Sequence, residues 1–139
     1  MIINPIKNGI VIDHIKAGRG MEIYRMLGLE ELESSVAIIK NAQSEKMGKK
    51  DIIKIDEVFD IDLAVLGYVD PQSTVNIIRD GKRERKFRPG LPERLEGVIK
   101  CKNPRCITSV EQELAHVFRL TDPEKGTYRC VYCETKSVK

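Results

Sequence analysis

The chain has 139 residues, a formal net charge of +3, 32% charged and 5% aromatic residues, and no tryptophan. That length suits one domain or two small ones, and so weak a net charge excludes a protein built to coat nucleic acid by charge alone. No apolar run is long enough to span a membrane, and residues 1–15 are broken by Asn4, Pro5, Lys7, Asn8 and Asp13, so neither a membrane span nor a secretion signal is expected, and the expected location is the cytoplasm.

The charge is unevenly spread. Residues 1–70 hold nine Lys/Arg against twelve Asp/Glu, residues 79–88 six against two, and residues 89–139 nine against seven. The one concentrated positive field is therefore Arg79–Arg88.

In chain order, Gly9–Ile15 is a β-branched run that reads as a buried strand. Ala17, Met21, Tyr24 and Leu27 then follow helical spacing, with Gly28 where a helix would stop. Gly18 and Gly20 form an incomplete G-x-G, which the strand-to-helix turn explains better than a phosphate-cradling loop does. Val36–Ile39 and Asp51–Ile55 read as two more strands, and the polar stretch Asn41–Lys50 as a long hairpin loop whose Lys49 and Lys50 face solvent. Asp60 is the expected cap of a short helix through Leu63 and Leu66, closed near Gly67 before the turn at Asp70-Pro71. Ser73–Ile78 is a fourth strand, and Asp80-Gly81 a hairpin turn into a fifth, Lys82–Arg88.

Strand, helix, strand, strand, helix, strand is the order of the ferredoxin-like α+β unit. One face of its antiparallel sheet takes both helices, and the other is left for a partner. Pro89-Gly-Leu-Pro92 cannot extend a strand or helix and reads as a stiff hinge, dividing the chain into domains 1–91 and 92–139. Beyond it, Val98-Ile99, Ser109-Val110 and His116–Leu120 are strand candidates for a small all-β module.

That module holds all four cysteines, as C-x4-C at Cys101 and Cys106 and C-x2-C at Cys130 and Cys133. Paired thiols at these spacings fit a closed tetrahedral Zn²⁺ site, structural rather than catalytic because no position is open. Two disulfides, unrelated thiols or an iron–sulfur centre are the alternatives. A segment this short rarely folds without such a staple. With four thiolates in place, His116 is not expected as a ligand, and the formal charge with Zn²⁺ bound falls to +1. No nucleophile–base pair or open metal position is visible, so a non-catalytic subunit is the expected class. The alternative is a nucleic-acid-binding zinc-ribbon accessory protein, against which stands the single aromatic, Phe87, within Arg79–Arg88.

Gly9-x-x-Ile-Asp-His-Ile15, Met47-Gly-Lys-Lys-Asp-Ile-Ile-Lys-Ile55, Thr74-Val-Asn76, Arg88-Pro-x-Leu-Pro-Glu-Arg94 and the four cysteines occur in one order. In this the chain resembles the regulatory chain of aspartate transcarbamoylase over nearly its whole length. The resemblance implies an N-terminal nucleotide-binding allosteric domain that also pairs regulatory chains through its free sheet face. It implies a C-terminal zinc domain that grips a separate catalytic chain, in an assembly of two catalytic trimers and three regulatory dimers, with no nucleic acid or membrane partner. The implied effectors are ATP, CTP and, as a further candidate, UTP.

Matching the motifs gives a nucleotide site of Ile6, Asp13, His14, Lys54, Asn76, Ile78 and Lys86. Chemically, Lys86 suits the phosphates and His14 adds a donor. Asp13 suits the ribose hydroxyls and Lys54 the ribose or a base carbonyl. Asn76 offers a second polar contact, and Ile6 and Ile78 are apolar walls. Two positions depart from the family pattern: the last hairpin turns on Asp80-Gly81 without an aromatic, and Arg83 stands where an apolar residue usually nears the base. Asn103, Tyr132 and Glu134 match family positions that touch the catalytic chain, and Arg105 replaces an asparagine there.

Overall fold

The structure is a computed structural model that describes residues 6–137. The chain divides into two compact units, Met1–Gly90 and Leu91–Lys139. Among the described residues no helix is long and apolar enough to cross a membrane.

The first unit contains β1 (Gly9–Lys16), α1 (Gly20–Met26), β2 (Val36–Ser44), β3 (Gly48–Ile55), α2 (Leu63–Val69), β4 (Thr74–Arg79) and β5 (Lys82–Phe87). Its strands pair antiparallel in the order β2-β3-β1-β4-β5. This is the ferredoxin-like arrangement with β5 added at one edge. Alternation explains which face is buried: Ile10 and Ile12 of β1, Ile53 and Ile55 of β3 and Val75 of β4 are at most 1% exposed. Ile23 of α1 and Val65, Leu66 and Val69 of α2 complete this core. Each such side chain contributes roughly 1.5–3 kcal/mol relative to exposure, so the helix-covered face carries most of the unit's stability.

One buried carboxylate organises the turn into α1. Asp51 of β3 is fully buried and accepts from the backbone N–H groups of Gly18, Gly20 and Asn41, each at 3.0 Å. The G-x-G segment thus does cradle an anion, but one supplied by the same chain. A Cβ at Gly20 would lie 2.9 Å from Asp51 Oδ2, which reserves the position for glycine. These bonds also start α1 at Gly20 rather than at Ala17, where the periodicity began. At the other end Gly28, with φ of 67°, stops the helix as expected.

Two expectations are corrected here. The loop expected over Asn41–Lys50 is mostly strand: β2 runs to Ser44 and β3 begins at Gly48, with a register shift between Ile39 and Ala42. A solvent-facing hairpin tip has no apolar alternation, so polar composition hid two paired strands. Helix α2 is capped by Asp62, whose Oδ1 accepts from Ala64 N at 3.1 Å and Val65 N at 3.3 Å, and it runs past Gly67 to Val69. Asp80-Gly81 is a hairpin turn as expected, both residues at positive φ (51° and 75°) as a type I′ turn requires.

The second unit has β6 (Arg94–Glu96), α3 (Ile107–Val110), β7 (Val117–Asp122) and β8 (Thr127–Cys130), its sheet ordered β6-β7-β8. Leu95, Phe118, Tyr128 and Cys130 form its core, each at most 1% exposed, and Tyr128 donates its hydroxyl to the Pro92 carbonyl at 2.5 Å. His116–Leu120 largely becomes β7. Val98-Ile99 instead lies in a bend after Gly97, and Ser109-Val110 belongs to the single turn α3, where both N–H groups bond the Cys106 carbonyl. The pull of the first knuckle on its chain outweighs the β-propensity of those pairs.

Candidate functional site

The four cysteine sulfurs all lie within 4.8 Å of one another. Across the two knuckles, Cys101 Sγ is 3.6 Å from Cys133 Sγ, and Cys106 Sγ is 3.6 Å from Cys130 Sγ. A disulfide needs about 2.05 Å, whereas sulfurs at the corners of a tetrahedron around Zn²⁺, with Zn–S of about 2.3 Å, stand about 3.8 Å apart. The donor set therefore fits a tetrahedral thiolate-bound ion. Burial pushes the Cys101 thiol up to about 12 and raises Cys130 as well, so buried thiolates here need a cation beside them. The Thr135 hydroxyl, 3.1 Å from Cys133 Sγ, is the leading cause that lowers that thiol to about 6.

The surroundings hold the ligands in place. Thr108 Oγ1 is 3.0 Å from Cys106 Sγ, and Cys101 N donates to His116 Nδ1 at 2.9 Å. His116 Nδ1 is thus an acceptor for the knuckle backbone. Asn103 Oδ1 accepts from Arg105 N at 3.0 Å, and its carbonyl accepts from Ser109 Oγ at 2.8 Å, tying the first knuckle to α3. Of the four residues matched to catalytic-chain contacts, Arg105, Tyr132 and Glu134 are exposed and Asn103 is half-buried.

The second constellation lies on the helix-free face of the first sheet. Register pairs Val11 with Lys54 and with Asn76, and Asn76 with Lys86, so Lys54, Asn76 and Lys86 stand in one cross-strand row. Asn76 Nδ2 is anchored on the Val11 carbonyl at 3.2 Å. Two residues further along β1, Asp13 holds Lys50 Nζ at 3.0 Å and accepts from His14 N at 2.6 Å. In the other direction Gly9 pairs with Ile78, and a side chain at Gly9 would strike the Ile6 methyl. From Gly9 to Asp13 the face runs about 13 Å at roughly 3.3 Å per residue, apolar at one end and charged at the other.

A cleft of about 520 Å³ opens at the charged end, lined by His14, Lys86, Lys46 and Arg88 with Met47 and Phe87 among its apolar walls. His14 reaches it because a β-bulge between Ile12 and Ile15 puts the residue at φ of 56°, and its buried Nδ1 has no hydrogen-bond partner. Of the seven residues matched to a nucleotide site, His14 and Lys86 line this cleft, and the other five lie along the adjoining face. Sequence reading missed Lys50 as a site residue. It is half-buried on β3, paired with Asp13, and not a solvating loop residue. The alternation Lys50, Ile52, Lys54 would have shown it once Gly48 was taken as the start of the strand.

The family model for the aspartate carbamoyltransferase regulatory chain, allosteric domain, matches residues 1–89, and that for its metal-binding domain matches residues 93–139. Among curated relatives, the aspartate carbamoyltransferase regulatory chain of Clostridium acetobutylicum is 57% identical over 134 residues, covering 96% of this chain and 92% of the relative. That of Clostridium botulinum is 54% identical over the same span, and that of Bifidobacterium longum 44% identical over 137 residues, covering 99% of each chain. With two domain models spanning the chain in order and relatives matched nearly end to end, this chain belongs to the aspartate carbamoyltransferase regulatory-chain family, as a non-catalytic subunit with an allosteric and a metal-binding domain.

Proposed function

We propose that the chain binds nucleoside triphosphates in its 1–91 domain and transmits their binding to the catalytic chain through a Zn²⁺-stapled 92–139 domain. The observation that carries this reading is the row Lys54, Asn76 and Lys86 beside the Asp13–Lys50 pair, on a face apolar at Ile6 and Ile78. Lys86, with His14, Lys46 and Arg88 around the same cleft, supplies cations for phosphates. Asp13 accepts from ribose hydroxyls, Lys54 and Asn76 reach the sugar or base edge, and the isoleucines wall the base. ATP, CTP and UTP all present this chemistry. Arg83, paired with Ile78 at the base end, alters the contact that would choose among them.

Cys101, Cys106, Cys130 and Cys133 would hold the Zn²⁺, which supplies a closed structural cross-link when bound. Asn103, Arg105, Tyr132 and Glu134 are the proposed contacts with the catalytic chain. A nucleotide and a second regulatory chain would compete for the helix-free face. We therefore assign regulatory pairing to the open edge of β2, since the β5 edge carries Lys82, Arg83, Arg85 and Lys86 and resists self-pairing. The proposed assembly is two catalytic trimers joined by three regulatory dimers, in the cytoplasm. Calorimetric titration of the zinc-loaded chain with ATP, CTP and UTP tests the reading, alongside aspartate saturation of the reconstituted enzyme with each nucleotide. Absence of binding by all three would refute the nucleotide assignment.

A further inference from the structure

The exposed face of the second sheet carries a line of like charges that its own fold does not explain. Arg94 pairs with Arg119, Arg119 with Arg129, and Arg129 with Lys136, so four cations stand in one cross-strand row over β6, β7, β8 and the bridge beyond. All four are exposed, while the adjacent row Leu95, Phe118 and Cys130 is buried. Directly opposed like charges destabilise a sheet, with neighbouring Cβ atoms only about 4.5–5.5 Å apart. Glu134 Oε1 is 3.9 Å from Arg119 Nη2, and Glu96 stands two residues along β6 from Arg94. Among the described residues the Arg119–Glu134 contact is the row's one ion pair, and both side chains are mostly exposed, at 60% and 76%.

We infer that this row is a docking surface for an acidic surface of the catalytic chain, an inference that rests on the regulatory-chain reading. Three observations favour that occupant. The row is continuous with Glu134, which already stands among the proposed catalytic-chain contacts. Its cations recur at about the inter-strand spacing of 4.8 Å, close to the roughly 5–6 Å between side chains at i, i+3 and i+4 on a helix, so an acidic helical face can engage it in register. Beside the cations, the exposed positions Glu96 and Thr121 offer no aromatic on which a nucleic-acid base would stack, and Val117 and Thr127 are buried. Rim charges of this kind act chiefly on association rate and on its salt dependence.

The test is reassociation of the full-length, zinc-loaded regulatory chain with the catalytic trimer at about 50 mM and about 300 mM salt. The variants are Arg94→Gln/Arg119→Gln, the reversal Arg94→Glu/Arg119→Glu, and Lys125→Gln, exposed between β7 and β8, as a control outside the row. Arg129 is left in place because its Nη1 bonds the Glu134 carbonyl at 3.1 Å. The parent should lose affinity steeply with salt. The glutamine pair should bind about tenfold more weakly at low salt with a flatter salt slope, and the reversal more weakly still. Lys125→Gln should match the parent, and all variants should retain one zinc per chain. Row variants that bind the trimer like the parent at low salt would overturn the docking surface. So would salt-sensitive binding of random RNA that the row variants lose while trimer binding stays intact. If the parent itself fails to bind the trimer, the regulatory-chain reading falls and the docking surface with it.

Discussion

Replacing Asp51 by asparagine isolates the device that shapes the charged end of the helix-free face. The side chain changes by one atom, so packing is preserved, but one carboxylate oxygen becomes an NH2 donor. Asp51 Oδ2 accepts from Gly18 and Gly20, and Oδ1 from Asn41. An asparagine can keep the first two bonds through its carbonyl, and its NH2 then faces the Asn41 N–H, donor against donor. Losing a hydrogen bond to a charged group costs about 1.5–3 kcal/mol, and an unsatisfied buried donor about 1–3 kcal/mol, partly overlapping. The expected loss is therefore about 2–4 kcal/mol, or a fall in midpoint of roughly 10–25 °C for a unit of this size. Because Asp13, His14 and Lys50 flank the same bulge, triphosphate affinity should fall with it. Denaturant unfolding followed by hydrogen exchange of β1 and β3 amides reads the first unit apart from the second. Gly20→Ala, which drives a Cβ to 2.9 Å from Asp51 Oδ2, should lower the same transition. Stability of Asp51→Asn within about 0.5 kcal/mol of the parent, the range of a neutral surface change, would refute the argument.

Stripping the metal, or changing Cys130→Ala, should unfold residues beyond about Pro92 and release the catalytic chain while the first sheet stays folded; full-affinity trimer binding by metal-free protein would contradict this. Lys86→Ala should weaken ATP and CTP binding in calorimetry by at least about tenfold, the scale of one lost charge-assisted contact, and leave assembly on a sizing column unchanged. Glu134→Ala should leave nucleotide affinity of the free regulatory chain alone yet blunt the effector response in the enzyme's aspartate saturation curve.

What the sequence disclosed followed from patterns that act locally. The β-branched runs around Ile12 and Ile53 alternate because one face of each strand is buried, Asp80-Gly81 suits a turn that needs two left-handed residues, and the cysteine spacings are those of metal knuckles. The hidden features depend on register or on distant partners. Asp51 looks like any strand-flanking acid until β3 carries it beneath the Gly18–Gly20 turn. The bulge that turns His14 into the cleft leaves no compositional trace. Thr127–Cys130 is too short, and too polar beside its cysteine, to announce a strand. The cations of the second sheet are scattered from Arg94 to Lys136 and become one row only when three strands are paired.

The separation of the two constellations constrains how regulation can operate. The residues assigned to nucleotide fall between Ile6 and Arg88, and those assigned to the catalytic chain between Arg94 and Lys136, with none shared. On the proposed reading, a bound nucleotide acts on the catalytic chain by favouring one arrangement of the assembly over another. Such a preference is a coupling free energy, typically about 1–3 kcal/mol, and binding linkage makes it reciprocal. Whatever factor a nucleotide imposes on the affinity of the catalytic sites for their ligands, occupancy of those sites must impose on the nucleotide. The basic row and the metal knuckles contribute to this only by holding the second unit on its partner. Weakening that grip should diminish both directions of the coupling together, whereas a change at Lys86 shifts nucleotide affinity and leaves the coupling of whatever nucleotide still binds.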